Sequence, residues 1–201
     1  SETLSTAKPK AEERLEDRIE SPTNIPELSA PSSKMYKRLS KPNQYAGFKK
    51  QFGAAKRFDA ILIEKSKKYD IPYSLLVSVI VIESGGDPSI KMKTSSATGL
   101  MQILDATAKE QGCEHGRKNP EINVECGAKY LKISYDRMKK VFKRYNLTEE
   151  QLWDLAMAGY NRGSSGAIED MVTLGCQNLE ELYSQKSKKY GYAFKARAVE
   201  K

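Results

Sequence analysis

Histidine is almost missing from this chain. Among 201 residues His115 is the only one, and no cysteine spacing around it suits a metal, so neither a metal site nor a cofactor is implied. Cysteine is scarce too. Cys113, Cys126 and Cys176 form an odd set, which argues against a complete disulfide framework. Cys113 and Cys126 can pair across a short loop in an oxidising compartment, or all three can remain buried thiols. Long apolar runs are lacking. The longest lies around Leu75 to Ile82 and is interrupted by Ser78, well short of the ~18 residues that a membrane span requires. The first residues are charged and proline-bearing, unlike a secretory leader. There is no internal repeat and no nucleic-acid recognition motif, so no nucleic-acid partner is expected.

What is present is positive charge, unevenly spread. The net charge is +8. Residues 1–34 hold 5 Lys/Arg and 7 Asp/Glu, residues 35–54 hold 5 basic groups and no acid, and residues 55–201 hold 24 against 19. A basic body suits a polyanionic partner such as a cell wall, a nucleic acid or a lipid surface, and charge alone does not choose among them. Composition divides the chain in the same places. Residues 1–34 read as a flexible, charged, Pro-containing tail. Residues 35–54 mix basic groups with Tyr36, Tyr45, Phe48 and Phe52 and read as a basic-aromatic lead-in packed against the domain of residues 55–201.

From residue 55 onward the apolar spacing is helical. Phe58, Ile61 and Leu62 begin one helix that runs to Tyr69. Pro72 suits the first turn of the next, which is apolar nearly all round and so is expected at the centre of the core. Gly85 and Gly86 end it. Residues 87–102 read as irregular or short β structure. Asp105 reads as the N-cap of a short helix. A long helix is expected from about Asn123 to Tyr145, with Leu131, Tyr135, Met138 and Phe142 on one stripe. Thr148 and Gln151 have capping-box spacing for another, and helices are expected over about 165–173 and 178–199. The fold class is mainly α.

Glu83 closes the apolar helix. A carboxyl there is removed from water and sits at the negative end of the helix dipole, and both effects favour its protonated form. A neutral carboxylic acid near pH 7 is what general-acid cleavage of a glycosidic bond needs. Taken alone, Glu83 reads better as a glutamate that simply reaches solvent at a helix end. Its surroundings alter that reading. Glu83-Ser84, Asp87-Pro88 and Gly99-Leu100-Met101-Gln102 come in order. Asn123, Gly127, Tyr130 and Leu131 then fit N-x-x-x-G-x-x-Y-L, and Gly159-Tyr160-Asn161-Arg162-Gly163 comes later.

In this order and spacing the stretch resembles the catalytic core of the soluble lytic transglycosylases, over about residues 55–200. The resemblance implies a lysozyme-like α+β fold with a small irregular or β segment beside the catalytic helix. It implies Glu83 as general acid and then base, with Ser84 near the reacting sugar or orienting Glu83. Gly99, Leu100, Met101 and Gln102 would form a substrate wall, Gln102 binding an N-acetyl sugar. Tyr160 would bond to Glu83, Asn161 to the substrate, and Tyr192 would match a late family tyrosine. Two positions depart from the pattern: Ser96 stands where the family often has glycine, and Gly159 where it usually has alanine.

Most glycosidases use two carboxylates, and no second one has an evident role here. The resemblance therefore implies peptidoglycan cleavage between N-acetylmuramic acid and N-acetylglucosamine by Glu83 alone, ending in a 1,6-anhydromuramic ring. Two alternatives remain: a goose-type muramidase with Asp87 or Asp105 as water-positioning base, and a non-catalytic peptidoglycan-binding or assembly protein. The expected place of action is the periplasm or cell wall. The tail is the part expected to dock onto a larger assembly, such as a virion or a secretion apparatus.

Overall fold

The computed structural model describes residues 42–145 and 147–173. The tail, its expected docking role, the helix expected over 178–199, Cys176 and Tyr192 lie outside the described residues. Seven α-helices appear among the described residues: α1 (Pro42–Ala55), α2 (Asp59–Tyr69), α3 (Tyr73–Ser84), α4 (Asp105–Gln111), α5 (Pro120–Val141), α6 (Glu149–Arg162) and α7 (Ser164–Thr173). Single 3-10 turns, Lys56–Phe58 and Lys143–Tyr145, join α1 to α2 and extend beyond α5. None of these helices is long and apolar enough to cross a membrane.

The centre is α3. Leu75, Leu76, Val77, Val79, Ile80 and Val81 are all buried. Successive helical positions point to every side, so neighbours must surround this helix. Each such side chain contributes about 1.5–3 kcal/mol through burial. Pro72 is its N-cap, one residue outside the helix. At the far end Gly85 takes a left-handed φ of 62° and its N–H donates to Val81 O. Gly86, at φ 81°, lies flat against the end of α1: a Cβ there would stand 2.6 Å from Ala55 N. Arg57 closes the same corner by donating to Ala54 O and Gly86 O.

Helices α5 and α6 form the second half. Tyr135 meets Trp153 and Tyr130 meets Tyr160, so the two run antiparallel. The expected stripe is buried, with Phe142 as the C-cap of α5. That helix begins three residues before the start expected from its spacing. Asn119 accepts from Glu121 N and Ile122 N, and Pro120 takes the first helical position, where its missing N–H costs nothing. Thr148 and Gln151 do make the reciprocal capping box of α6. An ionic cluster ties α5 to α2. Lys65, itself buried, lies 2.6 Å from Glu64 and 2.9 Å from Glu125, which also accepts from Lys68 and Tyr69.

The β part of the expected fold is much reduced. Among the described residues there is no strand. The segment 85–104 makes two isolated antiparallel bridges, Lys91 with Thr98 and Thr98 with Ile103. The reason is local: Gly99 and Gln102 both have positive φ, which breaks extended backbone after one pairing. Cys113 and Cys126 are joined as a disulfide, fastening the end of α4 to α5. That settles the choice between a pair and free thiols for these two.

Candidate active site

Three of the sequence motifs meet at one loop, that of Gly99–Gln102, which Asn123 and Tyr160 reach from α5 and α6. Residues 99–102 turn back on α5 because the peptide unit of Met101 is held from both sides. Asn123 Oδ1 accepts from Met101 N at 2.8 Å, and Tyr160 OH donates to Met101 O at 2.7 Å. The Asn123 amide also donates to Thr98 O and Arg117 O, each at 2.9 Å. Asn123, itself buried, thus holds the 98–102 segment with two hydrogen bonds and ties it to Arg117 with a third. The glycines allow this closeness. A Cβ on Gly99 would lie 2.4 Å from the Asn123 amide, and one on Gly127 would lie 2.4 Å from Met101 Sδ and 2.8 Å from its Cβ.

The consequence falls on Gln102. Its φ is 48°, a left-handed conformation that a non-glycine residue adopts at some energetic cost and that clusters at functional sites. Its Nε2 donates to Gly99 O and Ile90 O. Its Oε1 is buried with no hydrogen-bond partner among the described residues. Such an atom is an acceptor waiting for a donor.

Gln102 lines a cavity of about 240 Å³ together with Leu104, Thr107, Tyr130, Tyr160 and Asn161. This is smaller than the roughly 300–1,000 Å³ of sites that enclose a whole ligand, and it suits one unit of a polymer. Tyr130 and Tyr160 meet there with ring centroids 5.4 Å apart, tilted by 55°. Burial raises the Tyr160 pKa well above its ordinary value, and the Glu83 carboxylate raises it further. Glu83, half-buried at the end of α3, is near enough for its charge to act on Tyr160 but does not itself line the cavity. Tyr130 is also raised, first by burial and then by the charge of Glu110.

The structure divides the expected site residues. Gln102, Tyr160 and Asn161 share the cavity, and the Tyr160 hydroxyl, expected to bond to Glu83, donates to Met101 O. Ser84 does not face it: its buried hydroxyl donates to Ile80 O and accepts from Gly86 N, satisfying the helix end. Gly99, Leu100 and Met101 are buried, so they shape the loop from within and form no open wall. Tyr130 was missed as a site residue, although it stands inside the N-x-x-x-G-x-x-Y-L stretch. Asp105 is corrected from N-cap to first helical residue, paired with Arg117; Leu104 is the cap. Asp87 accepts from both the hydroxyl and the N–H of Ser89, which hold its carboxyl below the ordinary range.

The family model described as "Transglycosylase SLT domain" matches residues 60–188. The chain belongs to this family. Among curated relatives, an endo-type membrane-bound lytic murein transglycosylase A of Enterobacter sp. (strain 638) is 36% identical over 77 residues, covering 33% of this chain and 37% of the relative. The Cronobacter sakazakii protein of the same name is 39% identical over 69 residues, 29% of this chain and 34% of its own. The membrane-bound lytic murein transglycosylase E of Buchnera aphidicola is 28% identical over 101 residues, 45% of each. The chain thus spans between a third and a half of the length of these relatives.

Both departures from the family pattern have a local cause in this SLT domain. A Cβ on Gly159 would stand 2.3 Å from Ser134 Oγ, and that hydroxyl donates to Ala156 O across α5 and α6. The serine occupies the space an alanine methyl would need. Ser96 Oγ accepts from Asp105 N, supplying the first N–H of α4 with the cap that Leu104 cannot give.

Proposed function

We propose that this domain is a peptidoglycan lytic transglycosylase with Glu83 as its single acid and base. The observation that carries this reading is the joint placement of Gln102, Tyr160 and Asn161 on one small cavity, near enough to Glu83 for its charge to act on Tyr160. An N-acetyl sugar offers amide and hydroxyl groups to polar side chains such as Gln102 and Asn161 in that lining.

In the proposed reaction Glu83 donates its proton to the glycosidic oxygen leaving C1 of N-acetylmuramic acid. The neighbouring acetamido oxygen stabilises the electron-poor carbon. The C6 hydroxyl then attacks C1 and its proton returns to the Glu83 carboxylate. One C–O bond breaks and another forms, the 1,6-anhydro ring results, and no water is consumed. Asp87 is engaged by Ser89 and Asp105 by Arg117. This favours a one-carboxylate mechanism over a water-using muramidase. The Cys113–Cys126 disulfide fits action in an oxidising compartment, the periplasm or the cell wall.

The test is the product. Purified peptidoglycan digested by the protein should release fragments ending in 1,6-anhydromuramic acid by mass spectrometry. Reducing muramic ends would replace this reading with hydrolysis.

A further inference from the structure

The cavity near Glu83 has one charged side chain in its lining, and the reaction proposed above does not use it. Arg162 is the last residue of α6, follows Tyr160 and Asn161, and borders the same space of about 240 Å³. The other residues of that lining are neutral.

Its side chain is exposed yet held. Gly163, at φ 81°, ends α6, and α7 begins with the next residue. The guanidinium lies over Gly166 of α7, where a Cβ would stand 3.0 Å from Nη1 and 3.2 Å from Cζ. Asp170, one turn further along that helix, faces Nε at 3.4 Å. A guanidinium has a planar fork of N–H donors, and Asp170 meets only the Nε side. That contact is longer than the about 2.7–2.9 Å of a charge-assisted hydrogen bond. Nη1 and Nη2 have no hydrogen-bond or ion-pair partner among the described residues. A carboxylate can take two parallel hydrogen bonds from that pair.

A cavity of this size takes one sugar unit, so the acid must be carried on the ring. N-acetylglucosamine has none. N-acetylmuramic acid has one, the carboxyl of its lactyl ether. Where a stem peptide is attached, that carboxyl is an amide and bears no charge. It is a free carboxylate only where the peptide has been removed.

We propose that Arg162 binds the free lactyl carboxylate of muramic acid, so that this domain prefers glycan stripped of its stem peptides. The assignment rests on the peptidoglycan reading above and gives that same site its selectivity.

The probe is the disaccharide N-acetylglucosaminyl-N-acetylmuramic acid, which lacks the bond to be cut and so is not consumed. It is titrated into the full chain by calorimetry in three forms: the free acid, its lactyl methylamide, and the form bearing L-Ala–γ-D-Glu. The acid should bind roughly tenfold more tightly than the methylamide, about 1.4 kcal/mol, and Arg162→Gln should bring the two within about twofold. Arg162→Lys keeps the charge without the fork, should fall between, and serves if the glutamine variant does not fold. Equal binding of acid and methylamide by wild type, or no saturable binding of the acid, would overturn the assignment. So would a preference that survives in a folded Arg162→Gln. Peptide-form binding as tight as that of the acid would move the carboxylate onto the peptide and overturn it too. Acid-selective binding by a protein that releases no anhydromuramic ends would leave Arg162 its role and remove the catalytic reading. Anhydromuramic ends without that selectivity would do the reverse.

Discussion

Replacing Asn123 by alanine removes one acceptor and two donors that α5 presents to Met101, Thr98 and Arg117. The Met101 N–H is buried and has no other acceptor within the loop, and leaving it unsatisfied costs about 1–3 kcal/mol. Thr98 O keeps its bond from Ile103 N at 3.1 Å, so its loss is small. Arg117 O loses a 2.9 Å partner in a partly buried place. Together these give a destabilisation of roughly 2–4 kcal/mol, or about 5–15 °C in melting temperature for a domain of this size. The loop then relaxes, Gln102 leaves its left-handed conformation, and glycan cleavage falls through kcat. Asn123→Asp is the sharper variant. It keeps an acceptor for Met101 and places a second carboxylate oxygen against two carbonyls, so it should be less stable than alanine at neutral pH and recover in acid. Thermal unfolding followed by circular dichroism, with cleavage rates on the same samples, decides the matter. An alanine variant that melts within about 1 °C of wild type and cleaves normally would refute the clamp.

Three further outcomes are expected. Gly159→Ala, although it restores the family's residue, should lose about 1–3 kcal/mol through overpacking, and adding Ser134→Ala should return part of it in a double-mutant cycle read by urea unfolding. Removing the disulfide with Cys113→Ser and Cys126→Ser opens a link spanning 13 positions and should cost about 3 kcal/mol, with reductant giving the same shift to wild type alone. Burial raises the Glu125 pKa, but hydrogen bonds from Lys68, Tyr69 and Lys65 outweigh it and hold the folded value at about 2 against an ordinary 4.5. Its stabilisation is therefore complete above pH 4.5 and lost as pH falls toward 2, so Glu125→Gln should be less stable at neutral pH and flatter across that window.

Local patterns were readable from the residues; long-range polar contacts were not. The all-round apolar run of α3 announces a central helix because hydrophobic spacing is set within a few residues. The capping box at Thr148 is readable for the same reason. Asn123 is different. Its spacing placed it at the start of α5, while Asn119 and Pro120 take that role and free its amide to reach a loop 22 residues away. Nothing in the sequence announces such a reach. The inward turn of Ser84 comes from a helix end with N–H groups to satisfy, and the burial of Leu100 and Met101 from the depth of the loop. The positive φ of Gln102 and its lone acceptor are visible only once the backbone is folded. Tyr130 stood within a quoted motif, but its meeting with Tyr160 depends on how α5 crosses α6.

The central claim is that Glu83 performs the chemistry, and Glu83→Gln tests it most directly. The amide keeps the size and removes the acid. Anhydromuramic fragments from wild type and none from a variant with an unchanged melting curve would be the predicted result. Wild-type release of those fragments by Glu83→Gln would contradict the account.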